Sequence, residues 1–257
     1  MKIALTGKGG VGKTTISALM ARRLAERDFN VLAIDADFDA NFASALGINI
    51  DKVQIKPISE MEKLIEEKMG TSEDAGRGLY TLNPFVGDIP SKFSINHKGV
   101  NFLAVGTVKK GGEGCYCAEN KLIKRLINYI VLKSDETVIM DMEAGLEHIS
   151  RGTAKGIDLF LIVVEPGLRS LQTAKKIKEM ASDIGVKNIY AIANKLRLND
   201  ELDFIKNYLK DIEIIGSIYL NNSIAKADLK GISPADITDN EIINTIDDII
   251  DKCYKIF

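Results

Sequence analysis

Residues 7–15, GKGGVGKTT, decide the fold of this chain. They match the pattern G-x-x-x-x-G-K-[ST], in which glycines turn successive backbone N–H groups towards a polyphosphate at the start of a helix. The preceding residues 2–6 form a predicted buried strand, which is the context that the pattern requires. We expect Lys13 to reach the β- and γ-phosphates of bound ATP and the Thr14 hydroxyl to ligate Mg²⁺.

The residues after the loop complete a strand–loop–helix–strand unit. Residues 16–27 carry apolar side chains at helical spacing, and residues 30–34 form the next apolar strand. The two strands of such a unit are parallel, and the crossover between them is right-handed. The acidic segment DADFDAN at residues 35–41 should therefore lie at the carboxyl end of the sheet, beside the loop, where open α/β sheets bind ligands.

Three carboxylates in this segment are candidates for catalysis: Asp35, Asp37 and Asp39. A hydrolytic ATPase must orient a water molecule for in-line attack and hold Mg²⁺, and carboxylates serve both purposes. Asp35 is a candidate for a supporting role behind the loop or the metal ion, and Asp39 for a solvated position. A cap on the following helix is the alternative for any one of them.

Apolar strands and amphipathic helices alternate along the rest of the chain. This alternation predicts an α/β fold, a three-layer sandwich with a mostly parallel twisted sheet of about seven to eight strands flanked by helices. We expect a single ATPase domain over residues 1–257, with a loop or insertion region at about 70–120. The predicted strands lie at 92–96, 100–105, 137–140, 157–164, 188–193 and 213–218, and the predicted helices at 59–68, 121–132, 170–184, 200–209 and 240–254.

Two later strands end in polar residues that suit nucleotide binding. The strand at 137–140 is followed by Asp141, and an apolar strand that ends in aspartate is typical of a carboxylate that meets Mg²⁺ directly or through water. Gly145 is placed to approach the γ-phosphate, and residues 146–153 would form a switch. The strand at 188–193 is followed by Asn194, whose side chain offers both a donor and an acceptor to an adenine edge.

The composition and charge of the chain indicate which classes of protein it can belong to. The chain has 257 residues, a formal net charge of −2, 27% charged and 46% hydrophobic residues, as expected of a soluble globular protein. The balanced charge argues against general nucleic-acid binding. It has no apolar run of membrane-spanning length, and a strand rather than a signal peptide stands at the N-terminus. We therefore expect a cytoplasmic protein with neither a nucleic-acid nor a membrane partner.

A Cys-x-Cys pair, Cys115 and Cys117, lies in a glycine-rich segment before the helix at 121–132. Thiolates near lysines and near a helix N-terminus have a lowered pKa and are good ligands for nickel, zinc or copper(I). Two thiolates do not complete a tetrahedral site, whereas two copies of the chain related by a twofold axis would supply four. A complete metal site would therefore require a homodimer. The alternative is that the two cysteines have no role in metal binding.

The nonamer with Lys8 directly after the first glycine resembles the deviant Walker A loop of the MinD/ParA/nitrogenase iron-protein class of ATPases. The resemblance implies that Lys8 reaches across a homodimer to the partner's nucleotide, as an arginine finger does. It also implies that Asp37, the second Asp of D-x-D, positions the attacking water. Phe38 stands where that class usually has proline. Asn194-Lys195 resembles the base-recognition motif of the class.

The motifs GKGGVGKTT, DADFDAN, GCYC, DMEAGLEHISRGT and ANK together look like the CooC-type accessory ATPases, along essentially the whole chain. The resemblance implies an ATP-dependent metallochaperone that binds nickel or zinc through Cys115 and Cys117 at a dimer interface. Its client would be carbon monoxide dehydrogenase, whose nickel–iron–sulfur cluster it helps to mature; a related acetyl-CoA synthase stays open as client. The implied ATP–Mg²⁺ residues are Lys8, Gly9, Gly10, Val11, Gly12, Lys13, Thr14, Thr15, Asp37, Asp141, Asn194 and Lys195.

Two other classes share the loop. An iron–sulfur reductase or cluster-assembly ATPase of the nitrogenase iron-protein type would need cysteines in two segments, and the only further cysteine is Cys253, on the predicted core face of the last helix. A partitioning or positioning ATPase would need a basic surface or tail, and neither is evident. The sequence assigns no role to His97, which lies in a predicted turn, or to His148, which lies in the predicted switch.

Overall fold

The computed structural model describes residues 1–37, 41–70, 81, 83–106, 117–144, 149 and 151–257, with the backbone alone at 117, 151, 152 and 228. Strands and helices alternate over much of the described chain. The strands are β1 Lys2–Thr6, β2 Val31–Ala36, β3 Ile95–His97, β4 Val100–Ala104, β5 Thr137–Met142, β6 Leu159–Val164, β7 Ile189–Leu196 and β8 Glu213–Tyr219. The helices are α1 Lys13–Glu26, α2 Phe42–Ala45, α3 Glu62–Met69, α4 Ile89–Phe93, α5 Cys117–Lys133, α6 Arg151–Ala154, α7 Leu168–Asp183, α8 Asn199–Tyr208, α9 Asn222–Leu229 and α10 Asn240–Ile256, with 3₁₀ helices at Ile58–Glu60 and Pro234–Asp236.

All eight strands form one sheet in the order β3-β4-β2-β5-β1-β6-β7-β8. Every neighbouring pair is parallel except β3 and β4, which are antiparallel at one edge. The central strands β2, β5 and β6 are buried along their whole length, as expected of parallel strands that are covered on both faces. The mostly parallel sheet of seven to eight strands is confirmed.

Two apolar cores lie on opposite faces of the sheet. One packs α1 and α10 against it, through residues such as Leu24 and Ile246. The other packs α3, α5, α7 and α8, through residues such as Leu126 and Leu171. The three-layer arrangement follows, because each amphipathic helix buries its apolar side on the nearer face.

The strand register brings the functional strands to one edge. β5 lies between β1 and β2, and Asp141 of β5 is level with Leu5 on one side and Asp35 on the other. The carboxyl ends of β1, β2 and β5 therefore meet in one place. The phosphate-binding loop leaves β1 there, so the topology alone brings Asp35 and Asp141 to the same site as the loop.

The main differences from the sequence prediction lie at residues 89–97. The strand predicted at 92–96 is wrong in its first half, since Ile89–Phe93 form α4, with Pro90 in the first turn and Ile89 buried. Pro90 has its φ fixed near the helical value and lacks an N–H that would need a partner there. The strand predicted at 100–105 is confirmed as β4, which joins the main parallel sheet beside β2.

Candidate active site

The phosphate-binding loop takes a shape that requires glycine at two positions. Gly12 caps the start of α1 with a φ of 97°, in the left-handed region, and a Cβ there would collide with the side-chain amide of Asn194. At Gly7, a Cβ would collide with the carbonyl of Val163 in β6. The loop therefore lies directly against the ends of two other strands, as its backbone must if the N–H groups are to face a ligand.

A cavity of about 790 Å³ opens in front of the loop at the carboxyl edge of the sheet. The loop and the start of α1 form its floor. Asp37 and the residues after β5 lie at one end, and two segments remote in sequence form the opposite wall. The lining residues are Gly9, Gly10, Gly12, Lys13, Thr14, Thr15, Asp37, Asn41, Ser44, Ala45, Glu143, Ala144, Lys195, Gly231, Ile232, Ser233 and Pro234.

Lys13 and Asp37 lie next to each other in the lining of this cavity. The Nζ of Lys13 lies 3.8 Å from Oδ2 of Asp37, and both side chains are largely buried. A shielded ammonium beside a carboxylate can neutralise phosphate charge at one end while the carboxylate orients a hydroxyl or water at the other. The residue predicted to bind the phosphates and the residue predicted to orient the attacking water are thus brought together.

Thr14 and Asp141 form a second pair at the start of α1. The Thr14 hydroxyl donates to Oδ2 of Asp141 at 2.6 Å, and the Ser17 hydroxyl lies 3.4 Å from Oδ1. Asp141 is fully buried, and this burial raises its pKa to about 7, while the hydrogen bond from Thr14 acts in the opposite direction. A hydroxyl and a carboxylate side by side are the oxygen donors that Mg²⁺ prefers, so the pair fits the metal ion of an ATP complex.

Asp35 organises the backbone beside Asp37. Its Oδ1 accepts the N–H of Asp37 at 3.2 Å, and its Oδ2 accepts the N–H of Phe42, the first residue of α2, at 3.1 Å. Burial raises the pKa of Asp35 to about 6, although both backbone hydrogen bonds favour the ionised form. Asp35 therefore fixes the residues on either side of the catalytic segment and does not line the cavity itself.

A smaller, more apolar cavity of about 470 Å³ adjoins the loop on its other side. Its walls come from the ends of β7 and β8 and from α9 and α10, with Asn194, Tyr219 and Ile224 among the lining residues. The Nδ2 of Asn194 donates to the carbonyl of Val11 at 2.8 Å, so Asn194 also braces the phosphate-binding loop. An apolar space beside a side-chain amide, which has both a donor and an acceptor, suits a purine base.

The lysine after the first glycine makes its contact outside the described lining of the main cavity. The Nζ of Lys8 lies 4.0 Å from Oε1 of Glu165, at the end of β6, and Lys8 is not among the described residues that line the cavity. Lys195 also contacts Glu165, with its Nζ 3.5 Å from Oε2, and donates to the carbonyl of Gly10. Glu165 thus lies between two lysines at the rim of the loop.

Comparison with known sequences identifies the family. Residues 2–235 match the CobQ/CobB/MinD/ParA nucleotide-binding domain family. The carbon monoxide dehydrogenase accessory protein CooC of Rhodospirillum rubrum is 46% identical over 239 residues, 93% of this chain and 90% of that protein. An uncharacterised ATP-binding protein of Methanocaldococcus jannaschii is 38% identical, with 90% of each chain covered. The chain belongs to the CooC-type branch of the MinD/ParA ATPases.

Solved structures agree on the fold. The MinC:MinD cell division complex of Aquifex aeolicus superposes with a TM-score of 0.68 over 99% of this chain and 96% of that chain, at 21% identity. A putative plasmid partition protein of Borrelia burgdorferi bound to AMPPNP gives 0.69 over 100% and 99%, at 17% identity. At such identities the likeness concerns the fold alone.

As a CooC-type ATPase, the protein hydrolyses ATP, with Mg²⁺ as cofactor. The roles of individual residues remain predictions, and the geometry is consistent with them at Lys13, Thr14, Asp37 and Asp141. Several residues at the site were missed from sequence. Glu165 and the segment 231–234 carry no motif, although the turn residues Gly231 and Pro234 after a helix are a weak signal of a loop.

Other predicted site residues of this CooC-type chain lie outside the described part. They are Asp39, Cys115, Gly145 and His148, and the side chain of Cys117 is not described either, although Cys117 begins α5. Among the described residues, no group of three or more His, Cys, Asp or Glu could hold a metal ion. His97 ends β3 at the edge of the sheet, where burial, together with the charges of Arg22 and Lys98, lowers its pKa.

Proposed function

We propose that this protein is an ATP-dependent metallochaperone that works as a cytoplasmic homodimer. In this proposal it binds nickel or zinc through Cys115 and Cys117 at the dimer interface and serves maturation of the nickel–iron–sulfur cluster of carbon monoxide dehydrogenase. The observation that carries the proposal is the 46% identity, over 93% of the chain, with the accessory protein CooC. The whole chain is taken as one ATPase domain.

The chemistry of ATP hydrolysis is assigned to four residues at the main cavity. Lys13 binds the β- and γ-phosphates, and Asp37, 3.8 Å from its Nζ, orients the attacking water. Thr14 and Asp141 hold the Mg²⁺ ion, which supplies charge neutralisation at the phosphates when bound. The smaller cavity takes the adenine base, with Oδ1 of Asn194 accepting from its amino group.

Lys8 is assigned to the partner's nucleotide. Its side chain is 40% exposed and contacts Glu165 at a distance of 4.0 Å, so it can leave that contact when a second copy approaches. A lysine supplied in trans offsets charge that develops in the transition state, and it makes turnover depend on dimerisation. Hydrolysis would then loosen the dimer and alter its affinity for metal.

Metal binding is assigned to the Cys-x-Cys pair of each subunit. Four thiolates from two chains complete a tetrahedral set for zinc or nickel, and two do not. Cys253 cannot join them, because it is fully buried on the inner face of α10 and burial raises its pKa to about 12. The same burial weighs against an iron–sulfur protein of the nitrogenase type, which needs a further cysteine segment at the interface.

Metal stoichiometry and oligomeric state together test the proposal. The apo protein, purified anaerobically under reducing conditions, is titrated with Ni²⁺ and with Zn²⁺, and its mass is followed with and without ATP. We expect one metal ion per dimer, and loss of metal binding in Cys115→Ser/Cys117→Ser. The matched control is Cys253→Ala, which should bind metal as the wild type does.

Four outcomes would contradict the proposal. A protein that binds no metal, or a stable monomer that hydrolyses ATP at the full rate, leaves an ATPase with a different client. A broad visible absorption of the anaerobically purified dimer would indicate an iron–sulfur cluster. Stimulation of ATP turnover by DNA or by lipid vesicles would instead favour a partitioning or positioning ATPase.

A further inference from the structure

A buried arginine on the phosphate-loop helix contacts two segments that are far apart in sequence. Arg22 lies in α1, and its side chain is 6% exposed. Its Nη2 donates to the carbonyl of Leu46, just after α2, at 2.9 Å. Its Nη1 lies 3.4 Å from Oδ1 of Asp236, the last residue of the second 3₁₀ helix. One guanidinium therefore joins the ends of two separate elements.

Both elements form the wall of the main cavity opposite the loop. Ser44 and Ala45 line it from α2, and residues 231–234 line it from the segment before the 3₁₀ helix. The two segments also contact each other, since the hydroxyl of Ser233 donates to the carbonyl of Ala45 at 2.6 Å. Arg22 lies behind this contact, away from the cavity, and holds both segments against α1.

The space between these segments is closely filled. A Cβ at Gly47 would lie 2.9 Å from Oδ2 of Asp236 and 3.3 Å from Cβ of Ser233. Lys98 adds a second cation on Asp236, with its Nζ 2.6 Å from Oδ1. The wall is thus held by packing and by a carboxylate that two cations share.

The same wall continues to the catalytic end of the cavity. The N–H of Phe42, at the start of α2, is held by Asp35, which also holds the N–H of Asp37. A continuous set of hydrogen bonds therefore runs from Asp37 through α2 to residues 233–236. The buried side chain of Arg22 contacts this set at the end remote from Asp37, through the carbonyl of Leu46 and the carboxylate of Asp236.

We propose that Arg22 is a positioning residue for nucleotide binding: it fixes α2 and residues 231–236 as one preformed wall of the ATP cavity. Without it the two segments are joined by fewer contacts, and binding must order them at a cost in affinity. Chemistry at the γ-phosphate relies on Lys13 and Asp37, so turnover at saturating ATP should change less than KM. This inference rests on the assignment of the cavity to ATP and is independent of metal binding.

The test compares Arg22→Met with Arg22→Lys. The dissociation constant of ADP is measured by calorimetry, and KM and kcat are measured for ATP. We expect Arg22→Met to raise the Kd for ADP and the KM for ATP about tenfold, equivalent to about 1.4 kcal/mol, with kcat within about threefold of wild type. Arg22→Lys should recover part of the loss, because it keeps the charge near Asp236, but its single nitrogen replaces a planar fork whose two nitrogens reach separate acceptors.

Arg23→Met is the matched control. Arg23 is the next residue of α1, and its guanidinium pairs with Asp247 of α10, away from the cavity. We expect this control to lower the urea midpoint of unfolding and to leave both Kd and KM unchanged. Asp236→Asn neutralises the carboxylate that faces Nη1 of Arg22 and is not among the described residues that line the cavity, so it serves as the test if Arg22→Met does not fold.

The inference is overturned if Kd and KM stay at their wild-type values in Arg22→Met, or in Asp236→Asn where Arg22→Met does not fold. A fall in kcat at unchanged KM would also overturn it. Lys13→Ala separates this failure from failure of the site assignment. If Lys13→Ala binds ADP as the wild type does, the cavity is not the ATP site. If only Lys13→Ala loses binding, the cavity is the site and Arg22 has a structural role alone.

Discussion

The ammonium of Lys8 lies 4.0 Å from Oε1 of Glu165 in the same chain. A lysine assigned to the partner's nucleotide is therefore held, in the single chain, at the rim of its own loop. The contact is half exposed, and exposed ion pairs contribute about 0–1 kcal/mol, so it is weak enough to be exchanged for a contact with a triphosphate. In the proposed dimer, Glu165 and the partner's nucleotide would therefore compete for the same cation.

Removing the Lys8 ammonium should abolish the dimer-dependent part of catalysis. We expect Lys8→Ala to lower kcat about 10³-fold, the scale of a charge supplied in trans, and to abolish ATP-dependent dimerisation as measured by light scattering. Lys63→Ala, an exposed lysine on α3, is the control. Unchanged turnover and dimerisation in Lys8→Ala would show that Lys8 is only a solvated loop residue.

Neutralising Glu165 should strengthen ATP-dependent dimerisation, by a smaller factor than the loss expected for Lys8→Ala. Because the competing pair is worth at most about 1 kcal/mol, Glu165→Gln should tighten the ATP-bound dimer no more than about fivefold. The dissociation constant of the dimer, measured by sedimentation with and without ATP, reports this change. A weaker dimer in Glu165→Gln would mean that Glu165 orients Lys8 for the partner instead of competing for it.

The Thr14–Asp141 pair leads to a prediction about magnesium. Asp141→Asn keeps the shape of the buried side chain but removes its charge, and we expect kcat to fall by about two to three orders of magnitude at any Mg²⁺ concentration. Ser17→Ala removes only the longer contact, 3.4 Å from Oδ1, and should change kcat less than about fivefold. Turnover measured across a Mg²⁺ titration distinguishes the two, and equal losses would place Asp141 in a structural role.

The sequence was sufficient for those parts of the site that follow from strand order. Lys13, Thr14, Asp35, Asp37 and Asp141 all follow or end buried strands, and parallel strands necessarily bring such residues to one edge. The strands themselves are recognisable because burial on both faces gives continuous apolar runs. The first half of the strand predicted at 92–96 was wrong, because a short apolar stretch does not distinguish a strand from a helix that begins at proline.

The remainder of the site depends on tertiary contacts that no local pattern encodes. The wall at residues 231–234 lies almost 200 residues from α2 in the sequence, and a serine and a glycine there read only as a turn. Arg22 reads as one of several charged residues on an amphipathic helix, and only the structure shows that it faces inward. The sequence predicted that Asn194 binds the adenine base. Its hydrogen bond to the carbonyl of Val11 was not predicted, because it depends on how the folded loop lies against the end of β7.

Asp35 gives a prediction about pH. Burial raises its pKa to about 6, above the unfolded value near 3.9, so the folded chain holds this proton more tightly than the unfolded chain. The free energy of unfolding should therefore fall as pH rises from about 4 through 6. Urea unfolding without nucleotide or Mg²⁺ should show that the stability of the wild type relative to Asp35→Asn decreases from pH 4.5 to 7.5, by on the order of 2 kcal/mol. A difference that is constant with pH would mean that Asp35 is ionised throughout this range.

Cys253 should be chemically silent in the folded protein. Its thiol is fully buried in α10 and its pKa is raised to about 12, so at pH 8 only about one thiol in 10⁴ would be ionised even if a reagent could reach it. In the Cys115→Ser/Cys117→Ser variant, Cys253 is the sole cysteine, so Ellman's reagent should detect almost no thiol in the native protein and one per chain in denaturant. Rapid reaction in the native state would place Cys253 within reach of solvent, and would reopen the argument that excludes it from a metal or cluster site.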